Sequence, residues 1–208
     1  MSTQDSNALP DREARALRLR NLRTIGALAA LFLLPLAASF YLYYGIGWHP
    51  AGTTLHGELI DPARPLLEVP LDTAAGQRAP RDLLKQHWTL VYLGAGGCDE
   101  DCRAALYVMR QTRLSLANDM SRVHRVFLAT GECCNLAFLA REHAGLEVLD
   151  ASGPAAEPLL AQFPQAERAH MLFVVDPLGN LMMRYDTRRP PRGLLQDLKK
   201  LLQLSHIG

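Results

Sequence analysis

A chain of 208 residues with 22 Lys and Arg, 21 Asp and Glu and a net charge of +1 has room for one well-buried domain plus an appendage, but is short for two full domains. It carries no Lys/Arg stripe interleaved with aromatics, which argues against nucleic acid as a partner. No repeat at a period of about 20–50 residues and no low-complexity segment occurs, which excludes repeat and disordered classes.

The first element in chain order is Ile25 to Gly47, "IGALAALFLLPLAASFYLYYGIG", an uncharged run of 23 residues. A hydrocarbon core needs about 20, so the run is read as a single-pass membrane anchor. A cleaved signal peptide is the competing reading, with small residues at Ala37 and Ala38, but the run outlasts an h-region and continues past them. Tyr41, Tyr43, Tyr44 and Trp48 at one end suit a headgroup belt, which a buried core helix would not need. Arg12, Arg15, Arg18, Arg20 and Arg23 precede the run, and the flank just after it, "WHPAGTTLHG", has no Lys or Arg. The positive-inside rule then predicts residues 1–24 as a cytoplasmic tail, 25–47 as the anchor and everything from Trp48 onward as exported. All four cysteines fall on the exported side, where disulfides are permitted and a working dithiol needs a reductant. Asp5, Asp11 and Glu13 make the N-terminus a poor transit peptide, which favours a bacterial inner membrane with the domain in the periplasm.

Beyond the anchor, residues 48–65 read as linker and first strand, and 66–208 as the main domain. "TLHGELI" and "PLLEVPLDT" around "DPARP" predict a hairpin, and "PRDLLKQ" a short helix started by Pro80. "HWTLVYLG" is a continuous apolar strand of the kind buried on both faces. Ala105, Met109, Thr112 and Leu116 recur at helical spacing after Cys102. "VHRVFLAT" is a second buried strand, "CNLAFLAREHAG" a helix ended by Gly145, and Pro154 to Phe163 another short helix. "HMLFVVDPLGNLMMRYDT" reads as two strands around a turn at Asp176 to Asn180, and Leu194, Leu195, Leu198, Leu201 and Leu202 form the stripe of a closing helix. Strands alternating with helices imply an α/β fold whose first two core strands are parallel.

In such a sheet, sites gather beyond the carboxyl ends of parallel strands, and Cys98 follows one such end. Cys98 and Cys102 thus fall at a helix N-terminus, whose N–H groups favour thiolate. The intervening Asp99, Glu100 and Asp101 oppose a free thiolate but attract a cation, so the spacer leans towards metal. If the strand after His170 is antiparallel to the first core strand, His170 lies across from the cysteine pair. Two thiolates and an imidazole suit Cu(I), whereas Zn(II) would want a fourth ligand. A structural histidine and a disulfide switch stay open as alternatives.

"WTLVYLGAGGCDEDC" followed by "AHMLFVVDPLGNLMMRY" resembles the Sco/SenC family of thioredoxin-fold copper proteins that assist cytochrome c oxidase assembly. The resemblance implies a thioredoxin-like mixed sheet flanked by helices and copper bound through Cys98, Cys102 and His170, as Cu(I) with Cu(II) as a second state. It further implies a metallochaperone, not a turnover enzyme. The partners it implies are cytochrome c oxidase subunit II, with its binuclear copper centre, and other oxidase assembly factors. Arg103 stands where the family usually has Pro, and "LATGECCNLAF" replaces an aspartate-containing run. The competing function is a tethered thiol-disulfide oxidoreductase in which Cys98 attacks a partner disulfide and Cys102 resolves it. Cys133 and Cys134 follow the second core strand and are read as small buried hydrophobes, with an extra ligand or a resolving thiol as the alternative. Met171, Met182 and Met183 are expected to fill core, and His87, His124 and His143 to lie at surfaces or edges.

Overall fold

The computed structural model describes residues 11–47, 55–205 and 207. Trp48 and His49 lie outside the described residues, as do Asp5 and the side chains of Asp11, Arg12 and Glu13. The chain divides into two compact units, Met1–Gly52 and Thr53–Gly208.

In the first unit, helix α1 (Asp11–Phe40) runs into a π-helical turn, Tyr41–Gly45. It starts well before the apolar run because "ARALRLRNLR" consists mostly of strong helix formers. Arg15–Gly45 is long and apolar enough to cross a membrane. Leu31, Phe32 and Leu34 are exposed on it, an apolar surface that water disfavours and lipid satisfies.

The second unit is built on a seven-stranded mixed sheet, with strands β1 (Glu58–Pro65), β2 (Asp72–Thr73), β3 (Trp88–Ala95), β4 (Val123–Thr130), β5 (Glu147–Asp150), β6 (Met171–Val175) and β7 (Asn180–Asp186). Their spatial order is β1-β7-β6-β3-β4-β5-β2. β3, β4 and β5 are parallel, as the alternation of strands and helices requires, while β6, β7 and β1 continue the sheet antiparallel. Because side chains alternate along a strand, Leu90 and Tyr92 enter one core layer and Val91 and Leu93 the other. The first layer is closed by α2 (Glu100–Leu114) through Leu106 and Met109, and by α5 (Pro191–Leu204) through Leu194, Leu198 and Leu202. α3 (Leu136–Glu142) adds Leu139 to it. On the other face, Leu159 of α4 (Glu157–Leu160) and Phe163 cover the sheet, and Phe163 meets Phe173 edge-on at 5.1 Å between ring centroids. The β6–β7 turn is fixed by Asp176, whose carboxylate accepts from the N–H groups of Leu178 and Asn180, and by Gly179 at φ +88°.

Two expectations need correction, and one strand is additional to them. "TLHGELI" and "PLLEVPLDT" do not pair with each other: β1, which absorbs "DPARP", lies against β7 at one edge of the sheet, and β2 lies against β5 at the opposite edge. An edge strand leaves one row of N–H groups unpaired, so Pro62 and Pro65 are accommodated there. "PRDLLKQ" makes turns instead of a helix, with Leu83 N–H donating to Pro80 O and Lys85 N–H to Asp82 O. Gln86, at φ +71°, leaves the helical region and donates its N–H to Pro177 O instead. β5 was not foreseen, because four residues carry too little periodicity to register.

Met171 and Met183 are buried as expected, with Met182 half-buried. Of the histidines, His143 departs from expectation, being 4% exposed, whereas His87 and His124 are half-buried and stack with ring centroids 4.0 Å apart. Burial holds both His143 and His124 below the usual histidine pKa, and the nearby Arg125 and Arg110 push His143 the same way. In the unfolded chain these rings titrate near about 6.5. The folded state therefore refuses protons that the unfolded state accepts, and stability is full above that value and falls as pH drops below it. We expect the urea midpoint to fall between about pH 7.5 and about pH 5, and His143→Gln to flatten that slope. Equal slopes in the two proteins would show that His143 plays no part.

Candidate functional site

β3 ends at Ala95, and the chain then turns through Gly96 and Gly97 to Cys98, which adopts φ +51°. A non-glycine residue in this left-handed region costs about 1 kcal/mol or more, so the turn is held by its surroundings. Asp99 is the N-cap of α2, its carboxylate accepting from Cys102 N–H at 3.0 Å. Cys98 thus precedes the cap while Cys102 sits in the first turn. The two sulfurs meet across the cap in a disulfide with Cα atoms 5.0 Å apart. Both residues are almost fully buried, at 2% and 1% exposure.

The acidic spacer divides its work. Asp99 caps the helix, Glu100 and Asp101 lie in its first turn where the macrodipole favours negative charge, and Asp101 also faces His170. His170 stands immediately before β6, which is antiparallel to β3, and its Nδ1 is 3.8 Å from Asp101 Oδ1. The structure therefore places His170 beside the cysteine turn. Thr187 N–H and Oγ1 both donate to His170 O, at 2.8 and 3.0 Å. Arg188 is held by Asp186 and Glu167, so it braces the His170 loop instead of offering a free cation.

Two further residues complete the site: Tyr92, which the sequence pattern does not mark, and Arg103, which it marks by standing in place of the family's Pro. Tyr92 OH donates to Ala169 O at 3.1 Å and so ties β3 to the residue before His170. Burial, with Asp99 and Asp101 adding to it, raises the Tyr92 phenol pKa far above its usual value, which keeps the donor protonated. Arg103 donates from Nε to Cys98 O at 3.3 Å, and its guanidinium lies 5.2 Å over the Phe138 ring.

Cys133 and Cys134 are not buried hydrophobes. Cys133 is exposed, Cys134 is half-buried, and the two are joined in a disulfide. Among the described residues no three ligand-type side chains surround a common point, and both cysteine pairs are oxidised. The donor chemistry of Cys98, Cys102 and His170 nevertheless fits a soft monovalent ion once the disulfide is reduced.

A thiol pair at the carboxyl end of the first core strand, on a mixed sheet flanked by helices, defines a thioredoxin-like domain, here with an N-terminal helix able to span a membrane. The chain belongs to the family described as transmembrane-like, thioredoxin-like, C-terminal domain, which matches residues 88–205. No curated protein matches the sequence. Solved structures share the fold at low identity. Yeast Sco1 has a TM-score of 0.61 at 11% identity, covering 70% of this chain and 98% of its own. Apo Sco1 from Thermus thermophilus has a TM-score of 0.59 at 17% identity, covering 73% and 99%. Copper-bound ScoI from Bradyrhizobium japonicum has a TM-score of 0.54 at 17% identity, covering 65% and 98%.

Proposed function

We propose that this protein is a membrane-tethered copper-binding assembly factor. With its disulfide reduced, Cys98, Cys102 and His170 hold Cu(I) as cargo for the binuclear copper centre of cytochrome c oxidase subunit II. The tether is the span at residues 25–47, its N-terminal tail is cytoplasmic, and the domain works in the periplasm of a bacterium. The observation that carries this reading is the placement of His170 beside the Cys98–Cys102 turn, since dithiol exchange has no need of an imidazole there. In this scheme Tyr92 and Thr187 position His170, and the N–H of Cys102, already engaged by Asp99, fixes the helix start.

The test is an anaerobic Cu(I) titration of the fully reduced protein. We expect one copper per chain, with Cys98→Ala, Cys102→Ala and His170→Ala each costing at least about 1.4 kcal/mol, a factor of ten in Kd. The second reading, a thiol-disulfide oxidoreductase, is favoured by the disulfide itself. It prevails if His170→Ala leaves copper affinity unchanged while the cysteine pair still exchanges with partner disulfides.

A further inference from the structure

β3 and β4 are adjacent parallel strands in register, Ala95 opposite Thr130, so the loops that leave their carboxyl ends run side by side. Gly96 N–H donates to Thr130 O and Asn135 N–H donates to Gly96 O, both at 3.3 Å. A Cβ on Gly96 would stand 2.3 Å from Glu132 O and 2.7 Å from Cys133 Cα, so the backbones of the two loops are in direct contact. Cys134 packs against the core layer that contains Cys98 and Cys102. Arg103 joins the same two segments, bonded to Cys98 O and stacked over Phe138 of α3. Two disulfides thus share one end of the sheet with opposite exposure. The Cys98–Cys102 pair is sealed from a protein partner, while Cys133 is open to solvent.

We propose that Cys133 and Cys134 are a second redox couple, which carries reducing equivalents from a partner dithiol to the buried Cys98–Cys102 disulfide. A partner thiolate attacks the exposed Cys133 Sγ, breaking the Cys133–Cys134 bond and releasing the Cys134 thiolate. The partner's second thiolate attacks its own sulfur in that mixed disulfide, so the partner leaves oxidised and Cys133 is freed. Cys134 then attacks one sulfur of Cys98–Cys102 across the loop contact and expels the other as thiolate. Cys133 finally attacks Cys134 Sγ, restoring the Cys133–Cys134 bond and releasing the second site thiolate. The net change moves two electrons and two protons from the partner dithiol to the site, and thiol access governs its rate. The relay rests on the copper reading only in that Cu(I) needs the reduced pair; the exchange itself needs no copper.

The full-length oxidised protein in detergent is treated with reduced thioredoxin, used as a macromolecular dithiol, and reduction of Cys98–Cys102 is followed by differential alkylation and mass spectrometry. The double variant Cys133→Ser/Cys134→Ser should be reduced about tenfold more slowly or worse, while a small phosphine should reduce both proteins alike. The single variant Cys133→Ser, which cannot complete the last step, should accumulate a Cys134 disulfide to Cys98 or Cys102. Equal rates with thioredoxin, or no cross-loop disulfide in the single variant, overturn the relay. A Cu(I) titration of the chemically reduced double variant separates the two readings. Unchanged affinity is expected, and a loss would make the second pair a ligand and also overturn the relay. Failure of the unsubstituted protein to bind Cu(I) would count against the copper reading and leave the relay result standing.

Discussion

Asp197→Ala should destabilise the domain by about 3 kcal/mol, read as a lower urea midpoint at unchanged slope. Asp197 lies on the buried side of α5 between Leu194 and Leu198 and is 1% exposed. A buried carboxyl group there is tolerated only because donors surround it. The N–H groups of His56 and Gly57 both donate to Oδ2 at 2.8 Å, and His56 Nδ1 lies 3.0 Å from Oδ1. Truncation leaves the Gly57 N–H buried without an acceptor, at a cost of about 1.5–3 kcal/mol, while water can replace the carboxylate at the half-exposed His56. Asp197→Asn keeps one oxygen in place and should cost less. A loss below about 0.5 kcal/mol for the alanine variant would mean that water replaces the carboxylate freely.

Gly96→Ala is expected to cost about 3 kcal/mol, because both atoms the new methyl meets first belong to the backbone of residues 132 and 133. Neither can move aside as a flexible side chain would, so the two loops must part. Gly97→Ala is the matched control, since a Cβ there meets nothing within 4 Å and the residue is exposed. It should change stability by less than about 0.5 kcal/mol. Loop separation should also slow cross-loop disulfide formation in the Cys133→Ser background, a readout that a purely global loss of stability would not single out. Equal midpoints for the two alanine variants would remove the argument for close approach.

How much of this was legible in the sequence depends on how local the information is. β3, β4 and β6 announce themselves as short continuous apolar runs, and β7, α2 and α5 because apolar residues recur at the period of the element they build. The sequence puts His170 across from the cysteine turn only on the condition that its strand is antiparallel to β3, and β6 meets that condition. What was hidden is non-local. Nothing in "ELIDPARP" names β7 as its partner, and nothing in "DT" names β5. Asp197 reads as one polar residue in an amphipathic helix, its acceptor role being set by a segment about 140 positions earlier. Cys133 and Cys134 look like small apolar fillers until the loop is seen to run along the surface. Arg103, which departs from the Pro of the family it resembles, has its aromatic partner thirty-five positions further on.

The clasp between His56 and Asp197, 141 residues apart, also bears on how the chain comes into being. Synthesis delivers β1 long before β7 and α5, so the edge strand waits with neither its ladder partner nor its carboxylate acceptor. Closure of so long a loop is entropically unfavourable until native contacts reward it. Docking of β1 must therefore wait for β7 and α5, and a nascent chain stopped before residue 180 should carry an open, unpaired edge that a chaperone or another strand can occupy.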